Sequence, residues 1–400
     1  MKHHAAPNPW APLSRFKLKE PLAWQTTSPT GASREVPHAP AKRIPELDGV
    51  RGLAIAFVLI YHYVRLNIPG NALYYSFLPT HLMWSGVDLF FVLSGLLIGG
   101  ILLDHRESRG YYSVFYARRI HRIFPLYYLM LALLVAGVWA YPHSPLFLRS
   151  MPLWVFPLYA QNLLGDFTRA GVWMGVTWSL AVEEQFYLLF PFMVRLLSRK
   201  ALLAFMGMCI LGAPLLRTIL VIRGWGFEQV YPLLPCRADT LALGVVAAMI
   251  IRSKGAKAWI RSNSRLLYFC LLALFAALPT MVKWTTYKYV GTVGYSILGV
   301  MYFLLIVLLL VTPIPLMTKF FCARWLGWLG AVSYCVYLIH EPVRIGLFLL
   351  FGLGNDPSIT GLRTLLVTIA ALAVTLAIAQ ASWLFLETPL IKRAHLRYRY

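Results

Sequence analysis

The chain has 400 residues, of which 59% are hydrophobic and 13% charged, against about 25% charged in a soluble domain. That composition excludes an ordinary soluble protein and points to an all-α, polytopic membrane helical bundle. The net charge of +22 would suggest nucleic acid in a soluble protein, but membrane proteins concentrate Lys and Arg in their cytoplasmic loops, so no nucleic-acid partner is expected.

Residues 1–44 are rich in Pro, Ser, Thr and basic residues and read as a disordered cytoplasmic tail. No apolar segment of the signal-peptide kind follows the N-terminus, so the first apolar run is expected to stay as a membrane anchor. Runs long enough to span follow over 49–66, 84–103, 123–140, 176–195, 201–222, 238–252, 266–282, 291–312, 325–350 and 363–387, which predicts about ten transmembrane helices. The piece 151–164 is too short to span and contains Pro152 and Pro157, so it reads as a short interfacial or re-entrant helix. Residues 45–390 thus form one membrane domain, and 391–400 a basic cytoplasmic C-terminal tail. Five scattered cysteines show no CxxC and no ligand-type spacing, so neither a disulfide nor a metal site is expected.

With ten spans and the N-terminus inside, 27 of the 37 Lys and Arg residues fall on the cytoplasmic side, and the 67–83 loop has none. This bias places both termini in the cytoplasm.

Several polar groups remain at membrane depth, where ionisable side chains are costly. Arg51 and His62 lie eleven residues apart in the first helix. That is about 16 Å along the axis and close to three turns, so they share a face. The second helix carries Asp88 near its outer end and Ser94 at its middle. Arg118, Arg119 and Arg122 open the third helix at i,i+3 and i,i+4 spacing, which suits bidentate recognition of phosphate. Glu183 and Glu184 sit two turns below the outer end of the fourth helix. Arg237 and Asp239 begin the sixth, His340 lies in the outer half of the ninth, and Glu387 near the inner end of the tenth is a candidate partner for one arginine. His62, Glu183, Asp88, Arg237, Asp239 and His340 are expected at one level. Taken singly, each also fits a plainer role: arginines as positive-inside anchors, histidines as packing groups, glutamates as ion-pair partners.

Together the motifs resemble the membrane acyltransferase 3 family, which moves acyl groups onto sugars and other hydroxyl acceptors. The resemblance rests on "LDGVRGLAI" with His62 after it, "GVDLFFVLSG", "ARRIHRIFPLYY", "TWSLAVEEQFYLLFP", "RADTLALG", "SYCVYLIHEP" and "WLFLETPL", in that order over residues 46–389. It implies a ten-helix O-acyltransferase that takes acyl-CoA, by default acetyl-CoA, from the cytoplasm. His62 matches the family's first-helix histidine and Arg51 the basic residue before it. Arg119 with Arg122 matches an Arg-x-x-Arg pair linked to CoA handling, and Glu183 matches the glutamate of the tryptophan-serine-leucine motif. Some members add a C-terminal esterase-like domain, and none is expected in the residues up to Tyr400.

On this basis CoA phosphates are expected on Arg51, Arg119 and Arg122, with the pantetheine arm threading toward His62. His62 serves either as general base on an acceptor hydroxyl or as an acyl carrier. Glu183 either orients the imidazole or binds acceptor, and Asp88, Arg237, Asp239 and His340 are assigned to acceptor binding. The acceptor is a carbohydrate or similar hydroxyl compound, and the bacterial inner membrane is the expected location. The rival reading is a proton-coupled transporter or flippase, since intramembrane His, Glu and Asp also build proton relays; against it, no internal repeat is visible.

Overall fold

The computed structural model describes residues 44–64, 78–283 and 290–400, so the tail expected over 1–44 lies outside the described residues except for its last. Helices alone build the described part, without a strand. Every one of the ten apolar runs contains a helix: α1 Pro45–Tyr63, α2 Gly86–Asp104, α3 Tyr111–Ala140, α4 Trp178–Leu196, α5 Arg199–Ile222, α6 Leu234–Arg252, then, after the short α7 Lys254–Ser262, α8 Ser264–Lys283, α9 Tyr295–Val311, and, after the short α10 Pro315–Phe321, α11 Arg324–Leu350 and α12 Leu362–Ser382. A π-turn over Trp383–Glu387 leads into α13, Thr388–Arg397.

Seven of these helices are long and apolar enough to cross a membrane, or eight if α7 and α8, bent by 72° at their junction, make one span. The expectation of about ten spans is met only to that extent. Helices α1 and α4 fall short because each carries three charged side chains: Glu46, Asp48 and Arg51 in one, Glu183, Glu184 and Arg195 in the other.

Local chemistry accounts for several helix ends. Pro45 opens α1, and Glu46 and Asp48 in its first turn complement the positive end of the helix dipole. Ser198 caps α5 by accepting from the Ala201 amide at 3.2 Å, and Ser253 caps α7 by accepting from Ala256 at 3.3 Å.

Two close helix contacts position the site. A Cβ added at Gly52 would meet the Leu326 carbonyl at 2.0 Å, and one at Gly330 would meet the Asp48 carbonyl at 2.0 Å. Only glycine lets α1 and α11 approach so closely. The two helices run parallel, and ten residues beyond this contact in each, about 15 Å along, His62 meets His340. Helix α2 packs on α6 by the same device, since a Cβ at Gly95 would meet Leu241 O at 2.1 Å and one at Gly244 would meet Val92 O at 2.1 Å.

Three expectations change. Helix α3 begins at Tyr111 rather than near 123, so Arg118, Arg119 and Arg122 ride on it a turn or more from its start. Residues 151–164 form no continuous helix. They are a chain of turns with single 3-10 turns at Leu153–Val155 and Gln161–Leu163, and Tyr159 has a positive φ of 51°. Prolines 152 and 157 remove the amide donors a helix would need. The stretch expected as a basic tail is helical to Arg397 and packs against α3, where the Arg118 guanidinium donates to the Tyr398 carbonyl at 2.8 Å.

Candidate active site

A cavity of about 340 Å³ lies among α1, α2, α3, α4 and α11. At one end it is lined by Arg51, Arg118, Arg119 and Arg122, with Ile391 and His395 of α13 beside them. Arg119 and Arg122 form no hydrogen bond or ion pair among the described residues. Arg51 pairs with Asp48 at 3.3 Å within its own helix. A concave site with two unmatched guanidinium groups and a third nearby suits a multiply charged anion such as a phosphate ester. Beyond the last helix, Tyr400 stacks on His105 at 3.8 Å and lies under Arg118. Burial pushes the Tyr400 hydroxyl above its ordinary value, so this end of the chain adds no negative charge through its side chain.

Farther along the same cavity, Ser94 donates to Glu183 Oε1 at 2.5 Å and Tyr187 donates to Oε2 at 3.1 Å. Tyr187 follows Glu183 by one turn of α4, whereas Ser94 comes from the middle of α2. Glu183 therefore shares a cavity with the arginines, away from His62. Glu184, its neighbour in sequence, does not line that cavity, and its Oε1 is buried without a hydrogen-bond partner among the described residues.

The second centre is a histidine cluster at the far end of α1 and in α11. His62 Nδ1 lies 2.9 Å from the Val58 carbonyl. A carbonyl only accepts, so Nδ1 carries the hydrogen and Nε2 of the neutral ring holds the lone pair. His340 repeats this arrangement with the Tyr337 carbonyl at 2.8 Å. The two rings meet edge to face at 4.7 Å. Glu341 brings Oε1 to 3.9 Å from His62 Nε2. Arg344 clamps the group: one Nη donates to the His62 backbone carbonyl and the other reaches the Glu341 carboxylate at 2.9 Å. Tyr63 donates to the His340 carbonyl at 3.0 Å and hydrogen-bonds Thr375 at 2.9 Å, which ties α12 to the cluster.

This geometry lets His62 take a proton at Nε2 and hold the resulting charge beside a carboxylate. Donor atoms of His62, His340 and Glu341 lie within 4.8 Å of one another, a set that could ligate a cation. The carboxylate of that set is already paired with Arg344 at 2.9 Å.

The sequence places His62, Glu183, Asp88, Arg237, Asp239 and His340 at one level, but the fold divides them. His62 and His340 come together with Glu341, while Glu183 joins the arginine cavity. Asp88 and Arg237 form a fully buried ion pair, with the guanidinium over the Tyr295 ring at 4.4 Å. Asp239 pairs with Arg217 of α5 at 2.9 Å, also fully buried, and Ser296 donates to the same carboxylate at 2.6 Å. None of Asp88, Arg237 and Asp239 lines the cavity. Glu387 accepts from Ser382 at 3.0 Å rather than from an arginine. Sequence reading singles out none of Glu341, Arg344 and Arg217. A signal exists for each: Arg217 is the single charge in the apolar run 201–222, and Glu341 and Arg344 flank Pro342 just after His340.

A family model described as an acyltransferase domain, the acyltransferase 3 type, matches residues 44–383. Among curated proteins, the peptidoglycan O-acetyltransferase OatA of Listeria monocytogenes is 29% identical over 89% of this chain and 57% of its own length. YrhL of Bacillus subtilis, provisionally named a peptidoglycan O-acetyltransferase, is 28% identical over 87% of this chain and 55% of its own. The chain thus spans little more than half the length of these relatives. No solved structure matches it.

Proposed function

Because the chain belongs to the acyltransferase 3 family, we propose that it is an integral membrane O-acetyltransferase that takes an acetyl group from acetyl-CoA and places it on a hydroxyl of a carbohydrate. In this reading all ten long helices cross the bilayer and both termini lie in the cytoplasm, in keeping with the Lys and Arg asymmetry. The names of the relatives favour a cell-wall glycan as acceptor. The transporter reading draws on no observation beyond the intramembrane charges themselves.

The observation that carries the proposal is the arginine-lined cavity leading toward a histidine cluster farther along α11. CoA phosphates dock on Arg119 and Arg122, with Arg51 alongside, and the pantetheine arm follows α2 past Ser94 and Glu183. Neutral His62 removes the acceptor proton at Nε2 as the hydroxyl oxygen attacks the thioester carbonyl. The CoA thiolate leaves and takes up a proton to give free CoA. Glu341 stabilises the imidazolium formed on the way, and Arg344 holds both residues in register. Glu183, hydrogen-bonded to Ser94 and Tyr187, shapes the donor cavity.

The test is acetyl transfer from acetyl-CoA by purified His62→Ala that retains its fold and donor affinity. General-base catalysis typically contributes ~10²–10⁴-fold, so transfer should fall by about that much. Undiminished transfer would remove His62 from the chemistry.

A further inference from the structure

The last helix takes part in the arginine cavity, although it lies beyond the residues that match the family model, which end at 383. Ile391 and His395 of α13 line the cavity together with Arg118, Arg119 and Arg122. Contacts on either side of His395 hold α13 in place. One residue before it, Ala394 is buried. Three residues after it, the Tyr398 carbonyl accepts from the Arg118 guanidinium at 2.8 and 3.1 Å, and the Tyr398 ring lies tilted against His121 at 5.5 Å. His395 itself is exposed, so a ligand in the cavity meets this side chain where the cavity opens.

Its own helix orients the His395 ring. Nδ1 lies 2.8 Å from the Ile391 carbonyl. A carbonyl only accepts, so Nδ1 carries the hydrogen. Nε2 makes no hydrogen bond among the described residues and is the nitrogen open to a ligand.

A ligand with two anionic groups needs two sets of donors. CoA carries a diphosphate within its chain and a separate phosphate on the ribose 3′-oxygen. Arg119 and Arg122 are neighbours on one face of α3 and have no protein partner among the described residues, which suits the diphosphate. Arg118 lies one turn before Arg122, about 6 Å along the axis. Its guanidinium is committed to Tyr398 through Nε and one Nη, and Tyr398 follows His395 by about one turn. The other Nη of Arg118 and Nε2 of His395 thus make a second set of donors, contributed jointly by α3 and α13.

Resting on the donor reading given above, we infer that His395, with Arg118 beside it, binds the ribose 3′-phosphate of CoA. A proton held between Nε2 and a phosphate oxygen makes the contact a charge-assisted hydrogen bond. Helix α13 then selects CoA against donors that lack this phosphate, while Arg119 and Arg122 serve both alike.

The test is calorimetric titration of CoA and 3′-dephospho-CoA into the full-length, detergent-solubilised protein, native and His395→Ala. The native protein should bind CoA about tenfold more tightly than 3′-dephospho-CoA, or better. His395→Ala should narrow that ratio to about threefold or less by weakening CoA alone, with 3′-dephospho-CoA bound as by the native protein. Should His395→Ala fail to fold, His395→Gln changes the shape less and should narrow the ratio likewise. An unchanged ratio in the folded variant overturns the inference. So does equal weakening of both ligands, or a native protein that does not distinguish them. Failure of the native protein to bind either ligand contradicts the donor reading instead, which separates the two claims.

Discussion

In the proposed topology His62 lies at membrane depth, where few ionisable groups are tolerated, and its surroundings explain how it is kept. Its Nδ1 proton is bonded to Val58, its backbone is held by Arg344, and a carboxylate lies 3.9 Å from the basic nitrogen. Replacing Glu341 with Gln preserves shape and removes the charge. A charge pair near 4 Å is worth roughly 4 kcal/mol at an effective dielectric of about 20, and Arg344 offsets part of it. Acetyl transfer by Glu341→Gln should therefore fall about tenfold or more, with little change in donor affinity. For the arginines, each charge-assisted hydrogen bond is worth about 1.5–3 kcal/mol. The double variant Arg119→Ala, Arg122→Ala should therefore weaken CoA binding by about 10² or more, measured by titration. His62 and the arginine pair stood out in the sequence because charge in an apolar run is visible without a structure. Glu341 did not, although it lies in a noted motif, because its meaning depends on the 3.9 Å separation between two helices distant in the chain.

Helix packing sets that separation. Because α1 and α11 run parallel from a glycine contact, the spacing of ten residues in each helix of the pair brings His62 to His340. A methyl group added at Gly330 would sit on the Asp48 carbonyl, and overpacking of this kind costs about 1–3 kcal/mol. Gly330→Ala should lower the melting temperature in detergent and reduce transfer by displacing the cluster, while CoA affinity changes less. The Arg217–Asp239 pair staples α5 to α6 in a site closed to solvent. Breaking a buried pair from one side costs about 3–5 kcal/mol, so Asp239→Ala should unfold at markedly lower temperature, and any folded remainder should bind CoA normally. At this scale the existence and order of the ten long helices were readable from apolar runs. The early start of α3 was not, because its first turns are amphipathic and charged rather than continuously apolar. The turns over 151–164 were hidden too: their apolar composition resembles a helix, and their two prolines alone do not separate a turn chain from an interfacial helix.

Across the whole molecule, the polar groups expected in one layer separate into an arginine-lined cavity, a histidine cluster, and two buried ion pairs. Sequence spacing gives depth along each helix but not the face a side chain presents to its neighbours, so groups at similar depth could not be sorted into sites. The division suits the proposed enzyme, whose donor and acceptor would arrive from opposite faces of a membrane. The most direct measurement uses proteoliposomes containing the protein in one orientation. Radiolabelled acetyl-CoA is supplied only at the arginine face, and soluble cell-wall glycan fragments are sealed on the other. The account predicts acetyl label on the enclosed glycan with the native protein and its loss, by about 10² or more, with His62→Ala. Equal labelling by His62→Ala, or labelling only when glycan and acetyl-CoA share a face, would contradict it.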